Sequence, residues 1–598
     1  MVNKFIVLYL SVAPVAGLAQ LAGVGESAPL RGAASNPGGG AVQQVLARVD
    51  PEAAGSLSEL QAAEIEKFLE ELAHDLVSGE LHLDKTPDKR IAPEFQGTPL
   101  NPATEELSHS KSGLETFRGT PQTERSVTSE SLGSEFEAFL SSYRSIDWAK
   151  FKIVSIEPQG KNAARTSVRF QLAGVTKDGY RQQIRTQWHC EWKKPAEGQW
   201  LLAGVQTGPS ERSRSKAAVF TDISEAALGG NASFHEQLKF GTEVWRTRMD
   251  AASGMDVYGQ QGLAVGDYDR DGLEDFYLTQ SGGLPNRLFR NLGNGQFADV
   301  SAEAGLDALD GSSAAFFADI DNNGTQDLVV ILSTGQPILF LNGGLGKFQF
   351  SREGFPLGVK PGAVGGCLGD YDRDGFLDLY VTAYLWPNAA SQLPRPYYDA
   401  TNGPPNVLYR NLGNGSFQDV TAEAGLNENN NRFSHSCTWG DYDQDGQPDL
   451  FVANDFGRKN LYRNQGDGVF RDVTAEAGIE DAGAGMSVAL GDYDGDGWED
   501  VYFGNMWSSA GRRVTTQREF KSDSPEAPKD IYRRHARGNS LFRNERAHNF
   551  EDVTIASGVE MGRWAWCSDF VDFDNDGHLD LYIVNGFVTG TEAEAPDL

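Results

Sequence analysis

One phrase recurs six times in the second half of this chain and restricts what it can fold into. It reads GDYDRDGLEDFYL at 266–278, then ADIDNNGTQDLVV from Ala318, GDYDRDGFLDLYV from Gly369, GDYDQDGQPDLFV from Gly440, GDYDGDGWEDVYF from Gly491 and VDFDNDGHLDLYI from Val571. The first Asp of successive copies lie 52, 51, 71, 51 and 80 residues apart, so the unit is about 51 residues and two units carry insertions. Around each phrase the sequence reads strand A (GLAVGDYD), a tight acidic turn, strand B (LEDFYLTQ), strand C (NRLFRN), a turn at LGNG, strand D (QFADV) and a link SAEAGL. Units of about 40 to 50 residues with four short strands each are the signature of propeller blades, in which radial repetition leaves only short sheet edges.

Each copy sets side-chain oxygens at loop positions 1, 3, 5 and 9, with Gly at position 6. Alternating acidic side chains on a tight turn converge their oxygens, Gly takes the φ > 0 bend, and the position-7 carbonyl can add another ligand. The candidate ligands are Asp267, Asp269, Asp271, Leu273 (carbonyl) and Asp275 in the first loop and Asp319, Asp321, Asn323 and Asp327 in the second. The third and fourth offer Asp370, Asp372, Asp374 and Asp378, and Asp441, Asp443, Asp445 and Asp449. The last two offer Asp492, Asp494, Asp496 and Asp500, and Asp572, Asp574, Asp576 and Asp580. A cage of hard oxygens suits Ca²⁺, and four carboxylates this close repel one another without a cation, so up to six Ca²⁺ are expected. The loop one charge short, with Asn323, is expected to bind most weakly. An EF-hand is excluded, because position 12 is Leu278, Val330, Val381, Val452, Phe503 or Ile583 rather than a bidentate Glu.

The fold class expected is mainly β, a calcium-binding propeller of six or seven blades preceded by a small α+β domain. Residues 1–19, with one Lys, an apolar run and small residues at the exit, have the build of a signal peptide. Residues 20–128 read as a tether with one amphipathic helix over 58–78, where Leu60, Ile65, Phe68, Leu69, Leu72 and Leu76 recur at helical spacing. Residues 129–210 read as a helix followed by four alternating β-runs, which resembles the cone-shaped folds related to cystatin or SnoaL. His189 and Cys190, adjacent on one run, face opposite ways and form no dyad. The propeller occupies 215–590 and a tail 591–598. FTDISEAAL from Phe220 is a strand-D phrase with no strands before it, and is expected to complete the last blade.

The RNxGxGxFxDVTxEAGL phrase joined to GDYDxDGxxDLYV resembles the FG-GAP or VCBS repeats of integrin-type propellers, specifically the secreted branch related to cartilage acidic protein and the ASPIC/UnbV proteins. The likeness covers about 215–590. It implies a binding or adhesion scaffold, seven blades in integrin-type rings, and a continuation beyond strand B of the last unit, so a truncated form is expected. The second unit departs from the pattern, its LFLNGGLGKFQFSREGFPLG lacking the D-V-T phrase.

The formal net charge is −32. Of the 84 acidic residues 23 are proposed ligands, and six Ca²⁺ would leave about −20, which disfavours nucleic acid and anionic membranes as partners. No stretch is apolar enough to span a membrane. The build of residues 1–19 and the calcium loops lead to the expectation of export to the periplasm or exterior, with an extracellular protein or glycan as ligand. The four cysteines form no disulfide framework or zinc site; Cys437 lies at the opposite parity to Cys367 and Cys567 relative to its loop and faces the other side of its sheet. The nine His are scattered and converge on no catalytic constellation, so no enzyme is expected. The alternatives are an extracellular enzyme acting on polysaccharides or esters, and an assembly factor for a surface complex.

Both insertions follow strand B and so fall on the face opposite the acidic turns. The third unit's offers Trp386, Tyr397 and Tyr398; the fifth's offers Trp507, Arg512, Arg513, Arg518, Lys521, Arg533, Arg534 and Arg537, a basic island on an acidic chain. Aromatic and Arg side chains are common interface anchors, so this face is the expected ligand face.

Overall fold

The computed structural model describes residues 57–586 apart from 80, 82–89, 112, 241–243, 246–247, 249–261, 334, 345, 352–353, 357–361, 386–393, 518–519 and 547. The signal-peptide reading of 1–19, the first part of the tether and the tail at 591–598 lie outside the described residues, as do Trp386 and Arg518. Contacts group the described residues into two compact units: those up to Val219 together with Ser509–Ser522, and Phe220–Ser508 together with those from Asp523 onward.

The N-terminal unit opens with α1 (Leu57–Ser78), whose Ile65, Phe68, Leu69, Leu72 and Leu76 fall on one buried face at the spacing the sequence predicts. It continues through β1 (Ile91–Gly97), β2 (Thr104–Lys111), β3 (Leu114–Thr120), β4 (Val127–Thr128), α2 (Leu132–Leu140), β5 (Tyr143–Pro158), β6 (Ala163–Thr176), β7 (Arg181–Lys193) and β8 (Leu201–Ser215). The sheet runs β2-β3-β8-β7-β6-β5, with β1 pairing β8 and β4. Its covered face is aromatic: Phe68 meets Trp192 edge-on at 5.0 Å, Phe136 of α2 meets Trp188 at 6.3 Å, and Phe151 stacks on Phe170 at 4.5 Å. Cys190 is buried and His189 exposed, as strand alternation requires.

The described residues between 90 and 128 are not a loop-like tether. They supply β1–β4, and the helix before them is part of the same aromatic core. The reading failed because β2 is TEELSHSK, one apolar residue in eight, on a sheet edge wet on both faces, so it carries no period-2 apolar signal.

In the second unit the first blade comprises β9 (Leu263–Gly266), β10 (Asp275–Leu278), β11 (Arg287–Asn291) and β12 (Phe297–Asp299), paired in chain order. The same meander recurs within 312–351, 362–419, 433–472 and 485–552, and two strands, Ala565–Val571 and Asp580–Asn585, form a sixth sheet. Strand A of each blade touches strand A of the next, which puts the A strands innermost. Strand B of the fourth blade, DLFVAND, is buried at every position because blades pack on both of its faces.

The Asn of the RN phrase stitches neighbouring blades. Nδ2 of Asn342, Asn411, Asn464 and Asn544 donates to the carbonyl of Tyr268, Ile320, Tyr371 and Tyr442 in the preceding blade, at 2.8, 2.8, 2.9 and 2.8 Å. Beside this bond the loop Tyr packs on the next blade's strand-D Phe, as in Tyr268–Phe348, Tyr371–Phe470 and Tyr442–Phe550, at 5.9, 5.9 and 5.8 Å.

FTDI, expected to pair as a strand in the last blade, does not. The sixth sheet has no strand C among the described residues, so a strand D has no backbone partner there. Ser224–Leu228 is a helical turn instead, and Phe220 reaches the sixth sheet by its ring alone, 5.6 Å from Phe573 and 6.2 Å from Tyr582. All four cysteines are free thiols. Cys367 and Cys437 share one core cluster between the third and fourth blades, since opposite faces of adjacent blades look at each other.

Candidate metal centres and ligand face

The acidic turn is built by its own carboxylates. Asp267 accepts the Asp271 and Gly272 amides at 3.0 and 2.9 Å, and Asp271 accepts the Leu273 amide at 3.0 Å. The position-1 pattern repeats at Asp319, Asp370, Asp441, Asp492 and Asp572. The position-6 glycines sit near φ +86, as at Gly272, where a side chain would be strained.

Position 9 ties the turn to the blade. Asp275 accepts the Asn291 amide at 2.7 Å and the Tyr268 amide at 3.3 Å, and Asp327, Asp378, Asp449 and Asp500 repeat the clamp. Burial pushes these carboxyls up, Asp275 and Asp327 to about 6, Asp500 to about 7, Asp378 and Asp449 to about 8.

At position 3 the loops differ: Asp321, Asp372 and Asp443 accept the position-5 amide at 3.1, 3.3 and 3.3 Å, whereas the first and fifth loops leave an oxygen over. Asp269 Oδ1 and Asp494 Oδ1 are buried with no hydrogen-bond partner among the described residues. Carboxylate oxygens of Asp267, Asp269 and Asp271, and of Asp370, Asp372 and Asp374, lie within 4.8 Å of one another; in the second, fourth and fifth loops positions 1, 3 and 9 do so. Orphaned, crowded, all-oxygen donors fit a hard divalent cation.

Sequence reading missed the counter-charge. Arg290 pairs with Asp269 and Asp271 at 2.7 and 3.1 Å, Arg410 with Asp372 and Asp374 at 2.8 and 3.0 Å, and Arg463 with Asp443 and Asp445 at 2.5 and 3.1 Å. This is the Arg of the RN phrase, visible as a repeat but not as a partner until the meander brings strand C beside the turn. The second unit has Leu341 there. Its loop thus lacks one Asp and also the competing Arg, which offsets the weakness expected from Asn323.

The raised position-9 carboxyls set a pH dependence. Between about pH 4, where the unfolded chain's Asp ionise, and the folded values, the folded state keeps protons the unfolded state has lost. Their stabilising contribution is full at acid pH and is lost as pH rises towards 8. The gain in melting temperature on adding calcium to chelator-treated protein should therefore be larger at pH 8 than at pH 5; calorimetry at both values checks this, and equal gains would refute it.

The expected basic island is largely neutralised. Arg513, in α3 (Ser509–Thr515) of the N-terminal unit, is 8% exposed and held by Glu59 and Glu66 at 2.8 and 3.0 Å. Arg534, in α4 (Glu526–His535), pairs with buried Asp481 and with Asp552 at 2.8 and 2.9 Å; Arg533 pairs with Asp530 and Arg537 with Asp552. Trp507 is buried, and Arg512 is half-buried on α3. The counter-ions of Arg513 and Arg534 lie far off in sequence, so local composition could not reveal them. What stays open is aromatic: Tyr397, 51% exposed, lies 5.0 Å from Phe456 and 5.4 Å from His535, and Tyr398 lies 4.9 Å from Tyr532. Within the second unit the third blade's insertion thus meets α4.

Five segments, 267–330, 319–381, 398–452, 441–503 and 529–583, match the FG-GAP-like repeat family, and with the blades described above they define an FG-GAP repeat β-propeller protein. Within that class the chain is similar to cartilage acidic protein. It is 25% identical to cartilage acidic protein 1 of Mus musculus over 390 residues, 54% of this chain and 57% of that protein, so it spans little more than half of the curated relatives it matches. It is 28% identical to integrin alpha-V of Gallus gallus over 205 residues, 27% of this chain and 19% of that one. Among solved structures, a nuclear transport factor 2-like protein from Salmonella enterica aligns at a TM-score of 0.18 and 13% identity, covering 29% of this chain and 98% of that one. No helix among the described residues is long and apolar enough to cross a membrane.

Proposed function

We propose that this chain is an exported, calcium-stabilised adhesion-type scaffold that docks a protein ligand on the face opposite its acidic turns. The ions make hairpins rigid and recognition uses other loops. The observation that carries the docking face is the aromatic ridge of Tyr397, Tyr398 and Tyr532, where two insertions from different blades converge. Tyr combines a large rigid apolar area with a hydroxyl, which suits an interface anchor. The relationship to cartilage acidic protein 1 and integrin alpha-V supports the adhesion class. Cross-linked capture from the medium of the exporting cell tests it. The calcium-loaded mature chain, lacking residues 1–19, should retain a protein that Tyr397→Ser with Tyr398→Ser loses at least fivefold, with the melting temperature unchanged. Equal capture by both proteins would move the docking face elsewhere.

A further inference from the structure

The innermost strands carry a second, separate constellation. His435 on strand A of the fourth blade (Phe433–Gly440) lies 6.1 Å, ring to ring, from Trp566 on strand A of the sixth sheet (Ala565–Val571). A whole blade separates these strands in the chain, so the two innermost strands meet across the axis rather than side by side. Tyr384, at the end of the third blade's strand B, packs 4.1 Å from His435, and its hydroxyl donates to Asp455 Oδ2 at 2.8 Å. The three rings are half-buried, and Phe433 packs edge-on against Tyr384 at 5.9 Å.

Three features mark this as a built site. First, the His435 nitrogens make no hydrogen bond with a described residue, and burial holds the ring neutral by pushing its pKa down to about 4. It therefore offers one donor and one acceptor together. Secondly, Asp455 is buried with both oxygens committed, one to Tyr384 and one to the Phe456 amide at 2.8 Å, which fixes the Tyr384 ring. Thirdly, Phe456 has φ +54, a conformation costly for a bulky residue and found where surroundings over-determine the backbone.

Charge decides between ligand classes. Lys459 is buried beside Asp455, and Asp481 beyond it is paired with Arg534. The carboxylates are thus balanced locally, although the chain as a whole is strongly acidic. A site for a cation would leave a carboxylate uncompensated; this one presents flat aromatic faces and a neutral donor–acceptor pair. We propose that Tyr384, His435 and Trp566 form a binding site at the axis of the propeller for an uncharged sugar ring, stacked on the aromatic faces and hydrogen-bonded to the His435 nitrogens. The site adjoins the Tyr397 end of the ridge through Phe456, which lies 5.0 Å from Tyr397 and 5.8 Å from Phe433, and it rests on the ligand-binding reading only in sharing that scaffold.

The test uses the calcium-loaded full chain with cellobiose, xylobiose and chitobiose, and choline as a cationic probe, followed by calorimetry and tryptophan fluorescence. One disaccharide should bind at a single site, His435→Ala should weaken it at least tenfold, and Tyr398→Ser, whose ring packs on Tyr532, should leave it unchanged, with melting temperatures preserved in both variants. Saturable binding of choline but of none of the sugars overturns the proposal, as does sugar binding indifferent to His435→Ala. If no sugar binds while ridge-dependent protein capture persists, this site alone is refuted; if sugar binds and capture fails, the ridge is refuted and the site stands.

Discussion

Chelating calcium should lower the melting temperature of the full chain by more than about 10 °C. Each ion stabilises by RT ln(1 + [Ca²⁺]/Kd), about 2.7 kcal/mol at a hundredfold excess over Kd, and several sites act on one cooperative unit. In the first, third and fourth turns the chelated protein is not left with a bare acidic cage, because Arg290, Arg410 and Arg463 already face positions 3 and 5. The ion-free propeller should therefore remain folded at room temperature yet melt early. Replacing Arg410 by Gln should separate the two effects: lower stability in chelator, and tighter calcium binding once the competing guanidinium is gone. An unchanged melting temperature in excess chelator would refute the metal reading for all six turns.

The second large effect is expected at Arg513. Its guanidinium is buried between Glu59 and Glu66 of α1, within one unit, and Gln517 adds a bond to Glu59 at 2.9 Å. Removing one partner of a buried pair leaves the other charges uncompensated, which costs about 3–5 kcal/mol. Arg513→Ala should thus speed hydrogen exchange in α1 and across 509–522 by more than a hundredfold, while the blade strands stay protected. Adding Glu59→Gln and Glu66→Gln should recover much of the loss, since the penalty lies in the unpaired carboxylates. Exchange unaltered by Arg513→Ala would show that the pair is only a surface contact.

What the sequence disclosed follows from what repeats. The acidic turns, the four-strand meander and the reach of the propeller are written several times over, so errors in one copy are corrected by the others. The α1 helix was equally plain, because five apolar residues on one face need no tertiary context. β2 was missed because an edge strand wet on both faces has no alternation to read, and β1, β3 and β4 because each buries only one or two side chains. The basic island misled for a different reason: charge can be counted along a sequence, but Glu59 stands 454 residues from Arg513 and Asp481 stands 53 from Arg534. The axial trio of Tyr384, His435 and Trp566 was invisible on the same ground, its members coming from three separate blades.

That long separation bears on synthesis. A ribosome adding about 5 to 20 residues per second needs on the order of 20 to 90 seconds to travel from Glu59 to Arg513. Through that interval the nascent N-terminal domain holds Glu59 and Glu66 on α1 without Arg513, while the first four blades emerge. The early domain is then the last to mature. A chain halted anywhere short of the fifth blade's excursion would lack the cation that Glu59 and Glu66 hold in the finished N-terminal domain.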